Sequence, residues 1–271
     1  MAVTNGWGQG AVNNTIDWGK GEDNATNNWG KVYDASSSGD TNITGSGGTP
    51  ALVNTKSIEL DGVDEYADMG NPTSLQITGA MTLSAWVKTT ASGASDMLIG
   101  KDGVSAGTRT FLFLRSSNNA KFGIFKSGSF VSVTGTSAIN DGNWHHVMGV
   151  NTGTDLKIYV DGNLEATNEG GGGTIDNGTG IFYLGRRGGS PSQRLFYLGH
   201  LDEVAVWNSD QSSNASAIYG TGTPTDLSIY SPISWWRCGD GDTSPTLTDN
   251  GSGGNNGTME AFSTFSTDVP T

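Results

Sequence analysis

Polar and apolar residues alternate with a period of two through several short stretches of the chain, and sharp turns separate them. Met81–Lys88 reads Met-Thr-Leu-Ser-Ala-Trp-Val-Lys. Trp144–Val150 reads Trp-His-His-Val-Met-Gly-Val and, after a polar turn, Leu156–Asn163 reads Leu-Lys-Ile-Tyr-Val-Asp-Gly-Asn. Successive side chains of a strand point to opposite faces, so each stretch predicts a strand with one apolar face. Asp141-Gly-Asn143 and Asp161-Gly-Asn163 supply the turn chemistry at the corners. Ile181-Phe-Tyr-Leu-Gly185 and Gly199–Asn208 continue the pattern downstream. Ser234-Trp-Trp-Arg237 predicts a returning strand, and one short helix is expected over Gln211–Tyr219. The expected fold class is all-β, an antiparallel sandwich spanning residues 51–271.

Four of these pieces stand in a meaningful order: Thr82-Leu-Ser-Ala-Trp-Val87, Asp141-Gly-Asn-Trp-His-His-Val147, Leu156-Lys-Ile-Tyr-Val-Asp-Gly162 and Gly199-His-Leu-Asp-Glu-Val-Ala-Val-Trp-Asn208. Together they resemble the laminin-G-like branch of the concanavalin A-like lectin/glucanase superfamily. The resemblance covers roughly residues 50 to 270, where strand patterning begins and ends. It implies a jelly-roll sandwich that binds glycans or proteins, with some hydrolases among its members.

Composition narrows the function classes. Of 271 residues 42 are Gly, which suits many turns between short strands and weakens helices. A net charge of −13 argues against nucleic-acid binding through phosphates and is read as a solubility feature. One cysteine, Cys238, excludes an intrachain disulfide and is expected to be a small buried hydrophobe. The segment Met1–Gly6 has neither a basic region nor an apolar core, so no signal peptide is expected, and no apolar run is long enough to span a bilayer. A glycan-binding type of fold made in a cytosol and not exported by the usual route fits a bacteriophage virion protein released by lysis.

The N-terminal region carries a repeat. Trp7, Trp18 and Trp29 lie eleven residues apart, each followed by Gly. So much Gly and Asn excludes an eleven-residue coiled coil, and regular aromatics distinguish the segment from an ordinary disordered tail. Residues 1–33 therefore read as an extended assembly arm with tryptophan anchors, similar to N-terminal repeats of phage tail and head-surface proteins. Residues 34–50 read as a Gly/Ser linker.

Candidate chemistry is sparse. Hydrolases of the superfamily carry Glu-x-Asp-x-x-Glu on one strand, and this chain does not. Glu59 and Asp61 have an i, i+2 spacing, but Asp61 opens an Asp-Gly turn; Asp202 and Glu203, as strand neighbours, are expected on opposite faces. A glycosidase needs two facing carboxyl groups, so no catalytic residue is assigned. His145 and His146 are strand neighbours that cannot both line one site, and His200 stands apart. Relatives often bind calcium at loop oxygens; Asp240, Asp242 and Asp249, with Asn250, are the candidate ligands, and Asp61–Asp64 is a second cluster. The alternative reading is that these Asp-Gly pairs are turn formers. No cofactor is required.

For sugar binding an exposed aromatic platform is needed. Trp86, Trp144 and Trp207 are expected in the core, Trp235 and Trp236 on opposite faces of one strand, and Tyr183, Tyr197 and the Arg186-Arg187 loop on the surface. No glycan-binding residue is singled out. The function expected is non-enzymatic: a virion surface protein, whether tail or head fibre or decoration protein, displaying a glycan- or host-binding sandwich. Its partners would be other virion proteins, further copies of itself as a homo-oligomer, and host-cell glycans, without nucleic acid or membrane insertion. A secreted bacterial lectin or adhesin and a glycan hydrolase are the alternatives.

Overall fold

The computed structural model describes residues 52–93, 95–103, 109–188, 195–262 and 264–271. The expected arm at 1–33, with Trp7, Trp18 and Trp29, and the linker at 34–50 lie outside the described residues.

Two antiparallel sheets face each other. The first runs β1 (Ile58–Asp61), β12 (Leu198–Trp207), β3 (Met81–Lys88), β8 (Trp144–Asn151), β9 (Leu156–Val160), β10 (Asn163–Asn168), and β13 (Ser234–Trp236) pairs with the second half of β12. The second runs β14 (Thr246–Leu247), β15 (Gly257–Glu260), β2 (Tyr66–Asp68), β11 (Phe182–Leu184), β4 (Asp96–Lys101), β5 (Phe111–Ser116), β6 (Asn119–Lys126), β7 (Ser129–Ala138). The all-β sandwich expected from the alternation is what forms.

Alternation assigns the faces. Met81, Leu83, Ala85 and Val87 of β3, with Val147 of β8, point between the sheets and meet Phe111, Phe113, Phe122 and Phe182 of the second sheet. Gly149 makes room for one of these: a Cβ there would lie 2.4 Å from the Cγ of Phe122. The opposite parity points outward, where Met148, Val150, Ala205, Trp207 and Trp235 form a separate apolar cluster. Helix α1 (Ala215–Tyr219) lays Ala215 and Ile218 on that cluster, so the outer face is half covered. The expected helix at Gln211–Tyr219 is shorter, because Ser212–Asn214 is a 3₁₀ turn.

Three local devices shape the first sheet. Asp161 and Gly162 both have positive φ, 48° and 75°, giving the two-residue turn that matches the twist of a hairpin between β9 and β10. Within β12 the pairing to β3 shifts register between Asp202 and Ala205, with Glu203 at φ 46°. This bulge separates the part of β12 that pairs β1 from the part that pairs β13. A third irregularity, in β10 between Leu164 and Ala166, turns Glu165 toward β7. Its carboxylate accepts the N–H groups of Thr136 and Ser137 on that edge strand.

Candidate functional site

One cleft of about 280 Å³ opens on the outer face of the first sheet. Trp86 and Lys88 of β3, Trp144 of β8, Asp161 of the β9–β10 turn and Tyr219 at the end of α1 line it; Gly142, Asn143, Gly222 and Thr271 complete its rim. Register explains the gathering: Trp86 pairs with His146 and Lys88 with Trp144, so all four project outward from adjacent strands. The rings of Trp86 and Tyr219 lie 5.6 Å apart at 31°, and His146 meets Trp86 edge-on at 5.4 Å and Tyr219 at a tilt at 6.0 Å. Gly162 lets the turn approach the helix, since a Cβ would sit 2.9 Å from a ring carbon of Tyr219. Trp86 forms the floor with 3% of its surface open, while Tyr219 and Trp144 are half-buried walls.

The polar groups around these rings are ordered by hydrogen bonds. Asp161 accepts the backbone N–H of His146 through Oδ1 at 2.9 Å and meets His145 Nδ1 through Oδ2 at 2.8 Å. Burial alone would raise the Asp161 pKa, but these bonds outweigh it and hold the carboxyl below its ordinary value. His145 also reaches Asp141 at 3.2 Å, and its pKa is raised, chiefly by the bond to Asp161 and against its own burial. His146 behaves oppositely: burial pushes its pKa down to about 4, and its Nδ1 has no hydrogen-bond partner. The two histidines thus do separate jobs, one holding the turn and one packed against Trp86 and Tyr219. On the other wall Lys88 Nζ and Trp144 Nε1 both donate to Asp268, at 2.5 Å and 2.8 Å. His200 packs against Trp144 at 5.8 Å.

Several sequence expectations need correction. Trp86 and Trp207 are buried as expected of core residues, but on the outer side of the first sheet rather than between the sheets, Trp207 lying beneath α1; Trp144 shares that outward parity and is only half-buried. Tyr197 is not a surface residue: it is fully buried, donates to Lys88 O, and burial pushes its hydroxyl pKa well up. Tyr183 and Arg186 are buried as well, the guanidinium lying 4.3 Å from the Tyr66 ring centre and 4.4 Å from that of Tyr183. Arg187 pairs with Asp102 at 2.6 Å. Trp235 and Trp236 do face opposite sides, the latter packing on Phe182. Cys238 is buried in the core.

Asp202 and Glu203 are not sent to opposite faces, because the bulge at Glu203 breaks the alternation. Asp202 pairs across from Trp86, and Glu203 accepts the indole N–H of Trp235 and pairs with Arg237 at 3.1 Å, both on the outer side. Asn54 donates to Asp202 from above, and the two carboxyls are 0% and 2% exposed. Burial raises both pKa values, that of Glu203 to about 7 against the pull of Arg237. An acid pair sealed in this way has no access to a substrate. Glu59 is exposed near His200, and Asp61 folds onto its own turn, accepting from Val63, Asp64 and Glu65.

The calcium candidates are separately engaged. Asp240 accepts from Thr55, Lys56 and Arg237; Asp242 from Gly239 and Thr248; Asp249 from Trp235, Gly251 and Asn255. Each carboxylate accepts backbone N–H groups, Asp242 within its own loop and Asp240 from the distant Thr55–Lys56 segment, and among the described residues no three acidic, His or Cys side chains are gathered as ligands. Sequence reasoning missed Lys88, Asp161, Tyr219 and Asp268. Of these, Lys88 was findable from its i, i+2 spacing to Trp86, and Asp161 from its place in the hairpin turn; the long-range partners Tyr219 and Asp268 carried no local signal.

Comparison with known proteins matches residues 61–215 to the laminin-G model described as concanavalin A-like lectin/glucanases superfamily. The chain belongs to this superfamily. No curated protein matches the sequence at a significant level. Among solved structures, this superfamily member resembles a candidate carbohydrate binding protein from Bacteroides ovatus ATCC 8483, with a TM-score of 0.63 and 19% identity over 81% of this chain. The match spans 62% of the Bacteroides chain. It also resembles the Ruminococcus gnavus IT-sialidase CBM40 bound to α2,3 sialyllactose, with a TM-score of 0.51 and 16% identity over 63% of this chain and 100% of that one. At these identities the likeness is one of fold.

Proposed function

We propose that this domain is a non-enzymatic glycan-binding module whose site is the Trp86–Trp144–Tyr219 cleft. The carrying observation is the cleft itself: aromatic walls beside ordered polar groups, Asp161 and Asn143, on an outer sheet face. An aromatic wall takes the C–H face of a pyranose ring while carboxylate and amide oxygens take its hydroxyls, the usual division of labour in a small-ligand site. The carbohydrate-binding relatives of the same fold support the reading. Asp202 and Glu203, buried beneath Asn54 and beside Trp235, favour binding over hydrolysis.

The finer part of the proposal is the setting. The tryptophan arm at residues 1–33 would attach this module to a virion or a neighbouring copy, and that part rests on the sequence. Deleting residues 1–33 should leave a folded glycan-binding domain that no longer assembles.

The cleft is tested with a glycan array followed by titration of the best binder. Tyr219→Ala, which removes a half-buried wall, should weaken binding roughly two- to twelvefold for the loss of one aromatic face worth about 0.5–1.5 kcal/mol. The bound glycan should be recovered intact after long incubation. Undiminished affinity in both Tyr219→Ala and Trp86→Ala would move the site elsewhere.

A further inference from the structure

One rim residue of the cleft, Thr271, belongs to a C-terminal segment outside the sheet. Ser266 bridges to Ser57 through paired backbone bonds of 3.1 and 2.9 Å, and the chain then crosses to Asp268 and on to Thr271 at the rim. Asp268 places its carboxylate against two donors that line the cleft, Lys88 Nζ and Trp144 Nε1–H. These donors come from register partners on adjacent strands, so the sheet itself fixes their spacing.

We propose that Lys88 and Trp144 form an anion subsite, that Asp268 occupies it as an internal stand-in, and that the saccharide taken by the cleft carries a carboxylate, as uronic and sialic acids do. The inference rests on the glycan-binding reading of the cleft and narrows its ligand class. A ligand carboxylate offers the same two acceptor oxygens as Asp268 and can replace it bond for bond. A neutral sugar offers only uncharged hydroxyl and ring oxygens, so displacing Asp268 would exchange a charge-assisted bond at the Lys88 ammonium for a weaker one and leave it without a counter-charge. Exchange is cheap since the pair is not sealed: the Lys88 and Asp268 side chains are 28% and 40% exposed, the kind of ion pair that water screens strongly. The other charged groups near this corner are His200, half-buried and lowered in pKa by burial, and Glu59, 3.7 Å from it. The Asp268 pKa is itself lowered: burial would raise it, but the bonds from Lys88 and Trp144 prevail, so the stand-in stays charged at neutral pH.

Two measurements on the full chain test this. The first compares affinities for cellobiuronic acid and cellobiose, a pair differing by one carboxylate. Asp268→Ala should raise the acid-to-neutral affinity ratio at least fivefold over the unaltered protein, and adding Lys88→Met should abolish the gain. A ratio that does not move overturns the proposal. The second follows the Trp144 indole N–H by NMR during titration with acetate alone. In Asp268→Ala that resonance should shift and saturate, and in the Asp268→Ala/Lys88→Met protein it should not. If Asp268→Ala fails to fold, Asp268→Ser serves, since its short uncharged side chain leaves both donors open to acetate. Loss of all saccharide binding would overturn the glycan reading and with it the proposed ligand. The acetate titration still decides the subsite by itself, and no shift of Trp144 there overturns it.

Discussion

His146 should make the stability of this domain depend on pH in a way that one substitution removes. Its ring is fully buried between Trp86 and Tyr219, and its Nδ1 has no partner, so the folded protein holds it neutral. Burial lowers its pKa from 6.5 to about 4. The unfolded chain therefore binds more protons between these values: stability is complete above pH 6.5 and is lost as pH falls toward 4. At about 1.36 kcal/mol for each factor of ten, the loss from this group is about 3 kcal/mol. For a domain of this size that corresponds to a fall in Tm of roughly 6–12 °C. His146→Phe keeps a ring against Trp86 and Tyr219 but has nothing to protonate. Thermal unfolding of both proteins, followed by calorimetry from pH 4 to 8, should give profiles that diverge steadily below pH 6.5. Glu203 titrates in an overlapping window with the opposite sign, and because it is present in both proteins it cancels in the difference. Parallel profiles would refute the reasoning, showing that the folded state accepts a charge on that ring.

Arg237→Met should cost about 3 kcal/mol at pH 8, since it leaves the buried Glu203 carboxylate without its cation. The penalty should shrink toward pH 5 in urea titrations, because a carboxyl with a raised folded pKa gains stability as pH falls through about 7. Gly149→Ala, which drives a methyl into Phe122, should lose about 1–3 kcal/mol by the same assay. Asp249→Ala should lose about 2 kcal/mol or more in buffer containing EDTA, as three backbone N–H groups lose their acceptor; a loss seen only when calcium is added would assign Asp249 as a metal ligand instead.

Strands β3, β8, β9 and β12 were legible because their alternation is local, and a period of two needs no knowledge of the partner strand. What alternation does not report is which face turns inward when both are apolar. Trp86 and Trp207 sit on strands whose outer face is covered by α1 and its neighbours, and a buried outer face looks like core in the sequence. A bulge defeats the same rule from another side: one residue with positive φ at Glu203 puts two consecutive carboxyls on one side of the sheet. The cleft was only half legible. Trp86, Lys88, Trp144 and Asp161 belong to motifs that the chain displays openly, whereas Tyr219 and Asp268 reach them across sequence separations that no local pattern encodes.

The carboxylate of Glu165 on the rim of the sandwich has a consequence for the life of the protein in a crowded solution. Strand β7 ends the second sheet and would otherwise offer its outward N–H groups to any extended peptide that drifts past. At Thr136 and Ser137 those groups are already taken by Glu165, reaching over from the other sheet. A passing strand finds a negative charge where it needs a donor, so edge-to-edge pairing is blocked at those two positions of β7.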